Sequence, residues 1–535
     1  VGERQRAVID SDVCIIGCGP IGLTGAILLS RHGVRSLLVE RRSELNTHPR
    51  SRFVDTNTME LFREIGIDAL VESSGLARDW TAFNRWSDDL STEPYAEIAS
   101  PTFLRQLGPD SPCLPVMTVQ DKVERALMTK VVDDPNIVVR FDTEAFDLHQ
   151  SHHSTHLKLR DTMTGAVQTV TAPYTIGADG PGSSTRAVIG AELSAEPEPV
   201  YMQDVLFHAD LARYVGDKKG SLLYTQPPEG VLIFQPLDGK QRWRCQVSIG
   251  SAELLPAEAI RDRIRASLGT EDQVALEISS MSLWQPTPGC VTRFARGRIF
   301  LAGDAAHVSV PTGGLGNNSG FAGIRNLAWK LAYVLRGVGP PSLLDTYEIE
   351  HRPIAQERIQ FGVETTTHMR RMMLGHRRGD DVTAHIQATH QYADYDHLLR
   401  GSEVSSSLVA PNAGLAPHSN AAEFTPLVRN GRRAPHVWVN AEQTTSVLDW
   451  FGSTYVLLLG PQCDVSRWQS DVAKLSVAQD IDVRPLPTDL PIAPYEPDAV
   501  VLVRPDGVIA VCFRESDSHP SSAVTRYLPG DQPEH

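Results

Sequence analysis

Val13-Cys-Ile-Ile-Gly17-Cys-Gly19-Pro20-Ile21-Gly22 is the stretch on which the reading of this chain turns. Its four leading apolar residues, bounded by glycine, read as a short buried parallel strand. Apolar side chains then recur at Ile21, Leu23, Ala26, Ile27 and Leu29 in a helical pattern, and Gly33 is placed to end that helix. Residues 34–39 read as the next strand, so the segment opens a βαβ unit. Gly17 permits a tight turn, Gly19 lets a pyrophosphate approach the backbone, and Gly22 lets helix and strand pack closely, with the phosphates at the helix N-terminus. Glu40 closes the second strand at the distance expected for a ribose diol. A carboxylate there repels a 2′-phosphate, so the site suits the ADP half of FAD, or NAD, better than NADP.

The bulk properties frame this reading. A chain of 535 residues calls for two or three domains. No run reaches the roughly 18 apolar residues of a membrane span. A net charge of -15 argues against a nucleic-acid or anionic-membrane binder. The seven cysteines are scattered, with no CxxC pair, so neither a disulfide framework nor a zinc finger is expected, and no metal site. The opening residues show no apolar secretory core, and a cytoplasmic location is the expectation.

Moving outward, Pro49-Arg50-Ser51-Arg52 precedes a helix with apolar positions Met59, Phe62 and Ile65. These arginines, with Arg41 beside Glu40, suit phosphate or a ring edge, or else a solvated basic loop. Asp121 and Glu124 have capping-box spacing at the head of another helix, with Gln120 just before it. Short strands at 137–140, 156–160 and 167–172 lead to Tyr174-Thr-Ile-Gly177-Ala-Asp179-Gly180. Asp179 there suits a ribose hydroxyl or the cap of a following helix. Residues 200–285 read as strands and loops, with Tyr224, Phe234, Trp243 and Trp284 as candidate pocket side chains, although strand aromatics more often serve a core. A second glycine-rich segment follows a strand at 298–302: Gly303-Asp304-Ala-Ala-His307, then Pro311-Thr-Gly313-Gly314-Leu-Gly316-Asn317-Asn318, then a helix from 319 to 336. Its backbone N–H groups have a route to something anionic at the helix start. His307 reads as a structural part of this motif.

The ordered set Gly17-x-Gly19-x-x-Gly22, Asp179-Gly180, Gly303-Asp304 and Gly313–Asn318 resembles the single-component FAD-dependent aromatic hydroxylases of the p-hydroxybenzoate hydroxylase fold, over roughly residues 10–360. The resemblance implies that Gly17, Gly19, Pro20, Ile21 and Gly22 cradle FAD, Glu40 and Arg41 meet its ribose side, and Arg50 or Arg52 lies beside the flavin. Gln120 would contact FAD, Asp304 its ribityl or pyrophosphate portion, and Gly303 the same turn. Pro311, Gly313, Gly314, Gly316, Asn317 and Asn318 would border the ring, and Asp179 would serve FAD and a transient NADPH or NADH. The implied activity is NAD(P)H- and O2-dependent hydroxylation of a small phenolic or polycyclic, polyketide-like aromatic through a flavin C4a-hydroperoxide. Baeyer–Villiger oxygenation or epoxidation on the same scaffold is the alternative. No catalytic base is identifiable. Many relatives carry an acid where this chain reads Gly323-Ile-Arg325-Asn326.

The C-terminal part, with Arg433-Ala-Pro435-His436, Asp449-Trp450-Phe451-Gly452 and residues 500–507, resembles the thioredoxin-like domain of the phenol- and polyketide-hydroxylase branches. Lacking CxxC, it is expected to support packing or a dimer. The expected fold class is therefore α/β: a Rossmann-type FAD-binding domain (10–80, 116–190 and 289–400) interleaved with a β-sheet substrate domain (81–115 and 191–288), a linker at 401–424 and a thioredoxin-like domain at 425–535, as a monomer or homodimer.

Overall fold

All four residues of strand β1 (Val13–Ile16) are buried, as a continuous apolar run permits and an alternating one does not. The computed structural model describes residues 11–100, 103, 110–195, 201–270, 274–285, 287–391, 402–412, 426–516 and 520–529. Within it β1 pairs in parallel with β2 (Ser36–Val39) on one side and with Tyr174–Gly177 on the other. Parallel pairing continues outward to Ile137–Arg140 and to Ile299–Leu301. Helix α1 (Pro20–Arg31) begins at a proline, whose missing N–H is spare in a first turn. Gly33 follows it with φ +75°, as a helix stop requires.

A second sheet of seven strands runs in the order Glu277–Trp284, Tyr201–His208, Arg242–Ile249, Leu232–Pro236, Leu222–Thr225, Phe83–Ser87, Ala96–Ala99. Strand alternation splits it into two unlike faces. Val205, Leu232, Phe234, Trp243, Cys245 and Val247 pack into one core with Trp80. Asp204, Tyr224, Gln235, Arg244 and Gln246 take the opposite parity and line a cavity instead. Phe234 and Trp243, expected in a pocket, are therefore core residues without exposure.

Two local readings need correction. Helix Gln120–Val131 starts at Gln120 and has Val119 as its uncapped first position, so Asp121 and Glu124 form no capping box. Gln120 uses its amide to donate to Glu124 Oε1 at 2.7 Å. The glycine-loop helix spans Leu315–Leu335, four residues earlier than its apolar pattern suggested, so Gly316, Asn317 and Asn318 form its first turn.

At Gly323, a Cβ would lie 2.5 Å from His351 Nε2, so the imidazole of His351 fills the space a side chain would need. His351 belongs to a 34-residue helix, Asp345–Arg378. That helix also places Met369 in the cavity wall and stacks His376 on Tyr95, just before the edge strand Ala96–Ala99 of the seven-stranded sheet.

The C-terminal sheet has the order Ile481–Pro485, Tyr455–Leu459, Ala499–Val503, Ile509–Arg514, with only its first pair parallel. Tyr455 meets Trp329 and Tyr333 of the glycine-loop helix edge-on. Beneath them lies a buried ionic knot. Glu350 accepts from Lys330 Nζ at 2.7 Å, Arg504 Nη1 at 2.6 Å, Asn326 Nδ2 at 2.6 Å and Ser406 Oγ at 2.6 Å, and Asp506 takes the other side of Arg504. Burial opposes the ionisation of Glu350, yet Arg504 and Lys330 hold its carboxyl well below the usual carboxylate range. Ser406 lies in the expected linker, whose residues 413–424 fall outside the described residues, as do most of 101–109 in the expected first substrate-domain segment. Among the described residues no helix is long and apolar enough to cross a membrane.

Arg504→Met leaves two buried carboxylates facing Lys330 alone. It is expected to lower stability by about 3–5 kcal/mol, whereas Arg160→Met, at an exposed pair with Glu144, is expected to change it by less than about 1 kcal/mol. Chemical denaturation of the two variants measures the difference.

Candidate active site

The parallel strands all end at one edge of their sheet, so the turns that follow them converge there. Gly17 and Gly19, Glu40, Asp179 and Asp304 stand at that edge around a single cavity of about 1320 Å³. At Gly17 φ is +109°, and a Cβ would sit 2.4 Å from Ala178 O. At Gly22 a Cβ would sit 1.9 Å from Gly17 O, which makes Gly22 a packing position beneath the turn and not a lining one. At Gly19 a Cβ would meet nothing within 4 Å. The backbone there is therefore open to a ligand, as a phosphate track requires.

Two helix N-termini face this space. Neither α1 at Gly19 nor the Leu315–Leu335 helix at Gly314 has a side-chain cap. Their first N–H groups are left for an anion or another acceptor. Pro20 and Ile21 line one end, and Pro311, Gly313, Gly314, Gly316 and Asn317 the other. The spacing of two donor-rich ends along one continuous cavity fits an elongated dinucleotide carrying a ring. The residues present thus fit FAD: the α1 end for the pyrophosphate, Glu40 for the ribose and the 311–317 turn for the ring.

Other expected residues divide. Glu40 lines the cavity and also ties down the turn, accepting from Cys18 N at 3.1 Å. Arg41 and Arg50 line it with exposed side chains. Arg52 lines it too, but its buried guanidinium is occupied by Ser221 O, Gln235 Oε1 and Pro236 O. Three of its donors therefore serve the seven-stranded sheet. Gln120 lines the cavity and accepts from Asn317 Nδ2 at 3.3 Å. Asp179 borders it, its carboxylate accepting from Ser183, Ser184 and Thr185, while Ser183 is the residue that caps the following helix. Asp304 lines the cavity, and burial pushes its carboxyl up to about 6.

Besides Gly22, two expected contacts are absent from the wall. Gly303 packs against Ile21, and Asn318 turns inward to Asp55 N, Thr58 Oγ1, Phe53 O and Gly314 O, bracing the turn from behind. His307 is buried away from the cavity, and burial lowers its imidazole to about 4. Of the four aromatic candidates, Tyr224 and Trp284 reach the wall, and Tyr224 stacks on Trp86 at 4.6 Å between ring centroids.

The sequence reading missed the polar floor formed by Asp204, Gln235, Arg244 and Gln246. Arg244 grips Asp204 through Nε at 2.7 Å and donates from Nη1 to Arg50 O at 2.7 Å. His48 stands over this pair, its Nε2 3.9 Å from Asp204 Oδ2. Burial, ahead of the nearby charges, lowers the His48 imidazole below its ordinary value. The signal was in the alternation of Trp243-Arg244-Cys245-Gln246-Val247, where the even positions are polar and the odd ones apolar.

Two predictions follow from this geometry. Gly19→Ala is expected to fold with an unchanged melting temperature but to bind FAD at least about tenfold more weakly, while Gly22→Ala is expected to lose stability; titration and melting curves separate the two. Burial also pushes the Glu124 carboxyl up to about 7. Its folded form thus holds a proton that the unfolded chain releases near pH 4.3, so its contribution to stability is full below about 4.3 and lost as pH rises through about 7. Glu124→Gln is expected to raise apoprotein stability at pH 8 by an amount on the order of 1–3 kcal/mol, a gain that fades toward pH 4.

Comparison with known proteins agrees with this geometry. Residues 10–362 match the family described as FAD binding domain, and residues 427–529 match the aromatic-ring hydroxylase C-terminal family. A 2,4-dichlorophenol 6-monooxygenase of Cupriavidus pinatubonensis is 32% identical over 363 residues, covering 65% of this chain and 60% of that relative's length. A putative polyketide hydroxylase of Streptomyces halstedii is 27% identical, covering 93% of this chain and 92% of the relative. The crystal structure of the flavin-dependent monooxygenase PieE, in complex with FAD and substrate, superposes with a TM-score of 0.85 at 26% identity over 98% of each chain. The chain belongs to the FAD-binding-domain family of aromatic-ring hydroxylases and is an FAD-dependent monooxygenase.

Proposed function

We propose that this protein hydroxylates a bulky phenolic ring, polycyclic and of the polyketide type, consuming NADH or NADPH and O2. One observation carries the reading. The cavity runs without a break from the two uncapped helix ends to the polar face of the seven-stranded sheet, and it exceeds the roughly 300–1,000 Å³ of a site for one small ligand. A dinucleotide at the glycine turns leaves the sheet end for a second, flat molecule.

The charge at that end selects against a benzoate. Arg244 is neutralised by Asp204, and both terminal nitrogens of Arg52 are engaged by Ser221 O, Gln235 Oε1 and Pro236 O, so neither offers a free guanidinium fork to a carboxylate. A neutral phenol or ketone meets no such need.

When bound, FAD reduced by the nicotinamide supplies the activation of O2. The chain's own residues do the rest. The N-terminus of the Leu315–Leu335 helix favours negative charge at the ring end. Val310 and Pro311 give the ring end an apolar border that excludes water, and the sheet floor, with Met369 against it, orients the substrate. Residues 10–80, 116–190 and 289–400 act as the FAD-binding domain, and 81–115 with 191–288 as the substrate domain. The C-terminal unit from 425 is read as thioredoxin-like: its four-stranded order with one parallel pair supports this, and without a CxxC pair it serves as a clamp.

NAD(P)H consumption by the FAD-loaded enzyme is the test. Polycyclic phenols are expected to accelerate it severalfold more than benzoates, with label from isotopic O2 appearing in a new ring hydroxyl. Unstimulated consumption across both classes, or label in an ester, overturns the reading.

A further inference from the structure

The floor of the cavity contains a hydrogen-bond chain with a fixed direction. Arg52 Nη1 donates to Gln235 Oε1 at 3.2 Å, and Arg244 Nη1 reaches the same oxygen at 3.4 Å. A guanidinium has only donors, so the end of Gln235 that it meets is oxygen. Gln235 Nε2 is then left to donate to Gln246 Oε1, at 3.0 Å. By the same logic Gln246 must turn its amino end outward. The reverse orientation would bring two amino groups together in a buried place, leaving both unpaired.

Both arginines are themselves immobilised, Arg52 by Ser221 O and Pro236 O, Arg244 by Asp204 and Arg50 O. The direction of the chain is thus set by charge and not by chance rotation. Gln246 is only 3% exposed and lines the cavity, and its Nε2 has no partner among the described residues. An unpartnered donor on an otherwise buried side chain that opens into a ligand cavity is a recognition element for an acceptor.

We propose that Gln246 is a specificity-determining residue: its amino group donates to a ring carbonyl of the substrate, which makes a hydroxylated polycyclic ketone the favoured class. This deepens, and rests on, the hydroxylase function proposed above. A carbonyl has lone pairs and no hydrogen, so it satisfies a pure donor without bringing a donor of its own. A phenol hydroxyl must place its own hydrogen as well. Asp204 is the residue paired with Gln246 across the strands, and its charge is compensated by Arg244, so no spare cation beside Gln246 invites a carboxylate.

The test uses the FAD-loaded full chain without NAD(P)H, titrated with 1-hydroxyanthraquinone and with 1-anthrol while the flavin absorbance is followed. The wild type is expected to bind the ketone at least about tenfold more tightly than the anthrol. Gln246→Leu is expected to erase that preference, weakening the ketone by about tenfold and the anthrol by less than about twofold. In turnover the KM for the ketone rises while kcat is largely kept. Gln246→Glu keeps the shape and the bond from Gln235 but replaces donor by acceptor, and it is expected to weaken the ketone at least as much. It supplies the comparison if the leucine variant does not retain FAD. A Gln246 variant that holds FAD and binds the ketone within twofold of wild type overturns this inference alone. A wild-type flavin spectrum that responds to neither compound overturns the proposed substrate class and this inference with it.

Discussion

Parallel pairing of β1 with both of its neighbours is the constraint from which the site follows. Parallel strands require crossovers, and crossovers return the chain so that every strand ends at the same edge. Residues as distant in the chain as Gly17, Glu40, Asp179 and Asp304 become neighbours for that reason. The glycine turn then works only because its backbone atoms can approach within distances that any side chain would forbid. The close contact of Gly22 with Gly17 O fixes where α1 begins, and so where its unpaired N–H groups point.

The second sheet meets a different demand. One of its faces builds an ordinary core around Phe234 and Trp243, while the other carries arginine, aspartate and glutamine with almost no exposure. Burying such a face costs free energy unless each polar atom finds a partner. Here the partners are mutual, and the arginine forks are consumed within the sheet and the Arg50 loop. What remains unpaired faces the cavity, so the same network that makes the face tolerable also gives it selectivity.

Much of this was legible from residue patterns, for identifiable reasons. The βαβ unit, its stop at Gly33 and the two glycine turns rest on local backbone requirements, which a sequence displays directly. Strands 137–140 and 167–172 were bounded correctly because turn residues punctuate them. The helix after the second glycine turn was placed late because Gly316, Asn317 and Asn318 are poor helix formers on local propensity, and tertiary bonds from Asn318 override that. Asn318 was assigned to the cavity wall because a motif names positions and not the direction of a side chain. Phe234 and Trp243 were misplaced because aromatic character was weighed ahead of strand parity. The ionic knot of Lys330, Glu350, Arg504 and Asp506 was illegible, since nothing local pairs residues separated by up to 176 positions.

The helix Asp345–Arg378 has a consequence for how the parts of this protein respond to one another. At about 1.5 Å per residue it is roughly 50 Å long. It anchors Glu350 in the knot shared with the C-terminal sheet and carries Met369 to the cavity wall about 28 Å further along. One backbone therefore carries both a carboxylate that holds the C-terminal sheet and a side chain that shapes the cavity. The two are tied by a single element and not by a chain of separate contacts, so neither packing surface of this helix is independent of the other.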